Sequence, residues 1–148
     1  MRRDGKRRTA TRIVAVLGAA LVLTGCAAHP TGAYSRMAHL DAGTMLASGE
    51  LPPVVPGTDS DIVPTSYRLL AEHDGTEFWA GATRSDEVCF VAETGTDTQA
   101  TCLDAEQFGR HGAIIRLDGS DTRAWLHTEY MTVTAAWTPL SANVALRD

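Results

Sequence analysis

Residues 89–102, Cys-Phe-Val-Ala-Glu-Thr-Gly-Thr-Asp-Thr-Gln-Ala-Thr-Cys, read as two short strands facing each other across a turn. Cys89–Glu93 and Thr98–Cys102 carry β-branched, aromatic and small residues. The Thr94-Gly-Thr-Asp97 stretch between them has turn chemistry. A four-residue loop puts Cys89 directly opposite Cys102. Opposed residues at a non-hydrogen-bonded site of an antiparallel pair have Cα atoms about 4.5 Å apart, within reach of a disulfide. Register and chemistry therefore agree independently. A bond closing a loop of this size stabilises by about 3 kcal/mol in the chain-entropy picture.

Two more hairpins flank this one. Upstream, Tyr67–His73 meets Thr76–Ala82 across Asp74-Gly75, a strong short-range hairpin signal. A two-residue loop sets Ala71 against Phe78, Leu69 against Ala80 and Tyr67 against Ala82, making one apolar face. Leu70 and Trp79 then meet on the other face, among Arg68, Glu72 and Glu77. Downstream, Ala113–Leu117 pairs with Thr122–Leu126 around Asp118-Gly-Ser-Asp121. Here Ile115 faces Ala124, Ile114 faces Trp125, and Arg116 opposes Arg123 at a small penalty. Between the hairpins, Asp104–Phe108 reads as one helical turn capped by Asp104 and ended by Gly109. Thr132–Thr134 and Val144–Leu146 are short strand candidates separated by a turn at Pro139. The fold class is thus mainly β, with a small α+β arrangement as the alternative. Antiparallel hairpins form a small sheet or sandwich with one short helix and one disulfide, over residues 66–148.

The N-terminal part has a different character. Residues 1–12 hold six of the thirteen basic residues, and Ile13–Leu23 is an uncharged apolar run. About 20 such residues are needed to span a bilayer, so this run is too short to remain as an ordinary transmembrane helix. A basic stretch followed by a short apolar one is the pattern of a secretory signal, here residues 1–25. Leu23-Thr24-Gly25-Cys26 looks like a lipobox, in which small residues enter a narrow protease site and the Cys26 thiol receives a diacylglyceryl group. Two acyl chains make a stable anchor where one is marginal. The expected location is the extracytoplasmic side of a membrane, with the bilayer as partner through the lipid on Cys26. Residues 26–65 are rich in Pro and Gly and read as a tether. A short helix around Tyr34 to Ala47 has some support despite poor apolar spacing, and Leu51–Val55 is a stretch that can pack back onto the domain.

Loss of residues 1–25 removes those six basic residues and one acidic residue, so the remaining chain has a net charge near −10 rather than −5. That acidity argues against nucleic acid as a partner and against a polybasic grip on anionic lipids. With Cys26 lipidated, Cys89 and Cys102 remain, and two thiols outside the cytoplasm form one disulfide.

The whole pattern resembles small actinobacterial lipoproteins of unknown function. The resemblance rests on the lipobox, the Leu51-Pro52-Pro53 stretch, Ser66-Tyr67-Arg68-Leu69, the Asp74-Gly75 turn, Val88-Cys89-Phe90-Val91 with Cys102, and Leu140-Ser141-Ala142-Asn143-Val144. It implies a location and a disulfide-bonded domain, with no activity and no catalytic residues.

Local catalytic signatures are absent from the sequence, with no GxSxG, HExxH, P-loop or GxGxxG. The five histidines are scattered, and Asp59-Ser-Asp61 and Asp118-Gly-Ser-Asp121 lack calcium-loop spacing. The reading is therefore a binding or interaction module without a cofactor or metal, meeting an envelope protein or other ligand. The alternatives are a small envelope enzyme with a dispersed site, and a spacer lipoprotein. Large aromatics beside arginine are the residue types enriched in binding hot spots. Trp79, Trp125, Leu70 and Ile114 are accordingly the candidate partner contacts.

Overall fold

A computed structural model of the chain describes residues 31–45, 61–117 and 119–148. The leader, the lipobox with Cys26, Leu51–Val55 and Asp118 lie outside the described residues.

The middle hairpin is the spine. Strands β4 (Glu87–Thr94) and β5 (Asp97–Asp104) pair antiparallel with Cys89 opposite Cys102, and the two sulfurs are bonded. The ladder runs one pair further toward the turn than the sequence suggests, to Thr94 opposite Asp97, with the register unchanged. Strands β1 (Thr44–Met45), β2 (Arg68–His73) and β3 (Thr76–Ala82) extend it into a five-stranded antiparallel sheet in chain order. The downstream hairpin, β6 (Ala113–Arg116) and β7 (Arg123–Leu126), keeps the expected register, including Ile114 opposite Trp125 and Arg116 opposite Arg123. It belongs to a second, four-stranded sheet of order β6-β7-β9-β8, completed by β8 (Thr138–Pro139) and β9 (Val144–Arg147).

Among the described residues the fold is therefore mainly antiparallel β, in two sheets with two helices and one disulfide. One core lies between the sheets. Phe78, Ala80 and Phe90 from the five-stranded sheet meet Ile115, Leu126 and Val144 from the other. Helices α1 (Thr31–Met37) and α2 (Ala105–His111) close the remaining part of the same face through Ala33, Met37 and Phe108.

Four expectations change. First, residues 31–45 are not tether. Ala33, Met37 and Leu40, spaced i, i+4 and i+7, form an apolar stripe buried in the core. The stripe starts one residue before the window that looked weak. Polar contacts hold it at both ends. The Ala33 amide donates to Asp86 Oδ1 at 2.7 Å, and Arg68 Nη1 donates to the Met37 carbonyl at 3.0 Å. Residues 61–65 also join the domain, since Ile62 is buried and bridges Thr83.

Second, β2 carries a bulge between Leu69 and Ala71. Near the turn Ala71 faces Phe78 as expected, but beyond it Leu69 faces Trp79 and Arg68 faces Ala80. An extra residue on one strand flips every later side chain to the other side. Leu70 therefore turns into the inter-sheet core, whereas Leu69 and Tyr67 join Trp79 on the opposite face.

Third, α2 does not stop at Gly109. Asp104 caps it as expected, accepting from the Glu106 and Gln107 amides, but it runs to His111 and ends at Gly112 with φ of 68°. Gly109 lies inside the helix, where Arg36 crosses close over it and donates from Nε to the Ala105 carbonyl. Fourth, Thr132–Thr134 is not a strand. The last edge strand is Thr138–Pro139, a position that suits proline, which has no N–H to offer a further neighbour.

Candidate functional site

Alternation along the four-stranded sheet fixes what its outer face displays. Ala113 and Ile115, Ala124 and Leu126, and Val144 and Leu146 point inward. Their neighbours point out. Arg116, Arg123 and Arg147 stand opposite one another across β6, β7 and β9. The next row is Ile114, Trp125 and Ala145, also directly opposed. Adjacent strands are about 4.8 Å apart, so three like charges share a span of roughly 10 Å.

Aromatic rings line the same face. Trp125 lies 4.8 Å from the His127 ring and 5.3 Å from Trp137, and the Arg147 guanidinium sits 4.7 Å over Trp137. The Trp125 indole N–H donates to the His111 carbonyl at 2.9 Å. Gly112 makes that bond reachable, since a Cβ there would meet both the indole and the Leu126 carbonyl. Beside the rings, Ile114 is 48% exposed. Arg116 bonds Asp121 at 2.6 Å, while the Arg123 guanidinium forms no hydrogen bond or ion pair among the described residues.

His127 closes one end of the cluster. It is 4% exposed, and its Nδ1 lies 3.3 Å from the Thr128 carbonyl. Its Nε2 has no hydrogen-bond partner among the described residues. Burial lowers its pKa from 6.5, with the Thr128 bond opposing more weakly, so the neutral ring is favoured.

The four sequence-derived contact candidates separate into two pairs. Trp125 and Ile114 share the outer face with Arg116 and Arg123 as expected. Trp79 and Leu70 do not belong to a contact surface. Trp79 is 7% exposed, in a cluster with Ile62, Tyr67, Cys89 and Val91. Its indole N–H donates to Glu77 at 3.1 Å, and Tyr67 packs edge-on to it with its phenol pushed up to about 12, by burial first and Glu93 second. Leu70 is core because the bulge turns it inward. Trp137, Arg147 and His127 were not singled out by the sequence reading. The signal for Arg147 was its alternation with Ala145 on β9, opposite Trp125 and Arg123, and the signal for His127 was its place two residues after Trp125.

A second feature is a cleft of about 410 Å³ at the open end between the sheets. Phe78, Leu117, Leu140 and Leu146 line it, with Arg147 and the His73–Asp74 pair (3.3 Å) at its rim. Its described lining contains neither Ser nor Cys. Among the described residues no three His, Cys, Asp or Glu side chains gather as a metal set, and no helix is long and apolar enough to cross a membrane.

These features define a disulfide-bonded antiparallel β domain with one arginine–tryptophan face. Compared with family models, curated proteins and solved structures, the chain gives no match.

Proposed function

We propose that this protein is an extracytoplasmic lipoprotein, anchored through lipid on Cys26, whose β domain acts as a binding module. The anchor is supported by the series of basic stretch, apolar run and Leu-Thr-Gly-Cys at residues 1–26, and by the resemblance to small actinobacterial lipoproteins. The binding role is supported by one observation above all. Three arginines stand in line beside Trp125, Trp137 and Ile114 on the outer face of the four-stranded sheet. Directly opposed like charges cost stability, so such a row is unfavourable in the free domain and gains from an anionic contact.

Both parts are open to test. Cys26→Ala is expected to release the protein from the membrane fraction, and unchanged processing and retention would place the anchor elsewhere. A photoreactive residue at position 114, in protein expressed in its own envelope, is expected to give adducts that Arg123→Glu removes. The same residue at position 106, on the exposed side of α2, is expected to give none. Equal adducts at both positions would end the binding reading.

The cleft favours a second reading, in which the module holds a small ligand with an apolar body and a polar end near Arg147. Its volume lies within the usual range for small-molecule sites, about 300–1,000 Å³. The His73–Asp74 pair is the acid–base element a dispersed catalytic site would use there. A melting shift with small amphipathic acids, abolished by Leu146→Arg, would move the function from the outer face to the cleft.

A further inference from the structure

We infer that the arginine row and the indoles of the four-stranded sheet rest on an anionic lipid bilayer, the one that holds the lipid on Cys26. This rests on the lipoprotein reading and names the surface that the contact face meets.

The first observation is reach. The described part of the fold starts with α1, whose Ala33 and Met37 are fully buried. Only five peptide steps separate Cys26 from Thr31, at most about 18 Å of chain. A domain of this size has a radius of gyration of about 13 Å. Held so closely, it cannot stand clear of the headgroups, and one of its sides must face them.

The second observation selects the side. Helix α1 and the four-stranded sheet cover the same face of the five-stranded sheet, since Ala33, Met37, Leu126 and Val144 share one core with Phe90. The outward sides of α1 and of the four-stranded sheet both point away from the five-stranded sheet. The start of α1, beside Asp86 in the turn after β3, and the arginine row, whose Arg147 lines the cleft with His73 and Asp74 in the turn before β3, therefore share that side but lie at its opposite ends, so both meet the bilayer when the strands lie along it.

Charge is the third. Without residues 1–25 the chain is near −10, and an anionic bilayer repels most of its surface. Four of its seven arginines are engaged elsewhere. Arg36 and Arg68 donate to backbone carbonyls, Arg84 pairs with Asp61, and Arg110 pairs with Glu106. The other three form the row. Asp121, bonded to Arg116, and Asp148, bonded to Thr122, flank it, which leaves Arg123 and Arg147 as the principal phosphate contacts. Guanidinium forks match phosphate oxygens, and indoles favour the headgroup region. Exposed Ile114 adds an apolar contact beside them.

Three arginines do not hold so acidic a protein on a membrane unaided. Once the lipid is inserted, docking becomes intramolecular and its effective concentration is high. The row therefore sets orientation, while the lipid sets retention. The acidity of the whole chain opposes free binding to anionic lipids but not docking of a domain already anchored.

The test uses the lipidated protein reconstituted in vesicles of phosphatidylcholine alone, or of phosphatidylcholine mixed with phosphatidylglycerol. Both carry lipids brominated near the headgroup. Tryptophan quenching is expected in the mixed vesicles, falling several-fold in Arg123→Glu/Arg147→Glu and at high salt, with flotation unchanged. Arg123→Lys/Arg147→Lys is expected to restore most of it. Equal quenching in both vesicle types, or none in protein that floats with them, would overturn the docking and leave the anchor standing. Capture of an envelope protein by the same face without quenching would overturn it in favour of a protein partner. Absence of acyl mass on Cys26 would overturn the anchor and the docking together.

Discussion

Trp79 and Trp125 hold matching places in two hairpins of one chain, each across from an aliphatic residue with arginine nearby in sequence. In the fold they part company. Trp79 is sealed in a cluster behind the five-stranded sheet, against Tyr67, Val91 and the disulfide. Trp125 is half-buried on the outer side of the four-stranded sheet, next to an isoleucine that is half exposed. The local pattern cannot tell them apart, because what distinguishes them is coverage by distant parts of the chain. A pair of strands states which residues share a face. It does not state whether anything lies over that face.

The contrast implies a ladder of effects. Trp79→Ala removes a buried ring and should cost about 3–5 kcal/mol in unfolding free energy, read from urea denaturation. Cys89→Ser/Cys102→Ser lies in the same cluster and should cost about 3 kcal/mol. A disulfide variant that melts normally would show that the cluster does not depend on it. Gly112→Ala acts on the other side of the contrast. It forces a side chain into positive φ against Leu126 and the Trp125 indole, and should cost about 1–3 kcal/mol while altering indole fluorescence. Arg123→Ala touches nothing that holds the fold together and should stay within about 0.5 kcal/mol of the parent.

His127 gives the outer face a pH dependence. Its folded pKa is lowered, so the unfolded chain binds more protons as the pH falls. The contribution is fully present above the unfolded value near 6.5 and is lost as pH falls through the lower folded value. Melting temperatures taken from neutral to mildly acidic pH should fall more steeply in the parent than in His127→Gln. Parallel curves would show that the ring is not held neutral by its surroundings.

Much of the fold was legible from short-range chemistry. The Cys89–Cys102 register, the Ile114–Trp125 and Arg116–Arg123 pairs and the Asp104 cap all follow from turn lengths and residue types a few positions apart. The failures lie where one residue changes the frame. The bulge near Leu70 reverses the faces of β2, and no turn residue announces it. The stripe Ala33-Met37-Leu40 was concealed by surrounding glycines and polar residues, and its value appears only once the core it fills exists. The candidate site was half visible, as Ile114, Arg116, Arg123 and Trp125. Of its other half, Trp137 and Arg147 arrive with β8 and β9, whose pairing depends on a return of the chain after a long loop, while His127 continues the alternation of Arg123 and Trp125 just past β7.

The difference between the two tryptophans can be measured directly by unfolding Trp79→Ala and Trp125→Ala in urea side by side. Trp79→Ala should lose about 3–5 kcal/mol, and Trp125→Ala about 1–2 kcal/mol, since its ring is partly exposed and held by one hydrogen bond and tilted ring contacts. In the same two proteins, adducts from a photoreactive residue at position 114 should survive the first change, at a temperature where it remains folded, and vanish with the second. Equal destabilisation by both, with adducts retained in Trp125→Ala, would make both rings structural and contradict the assignment of the arginine–tryptophan face as the contact surface.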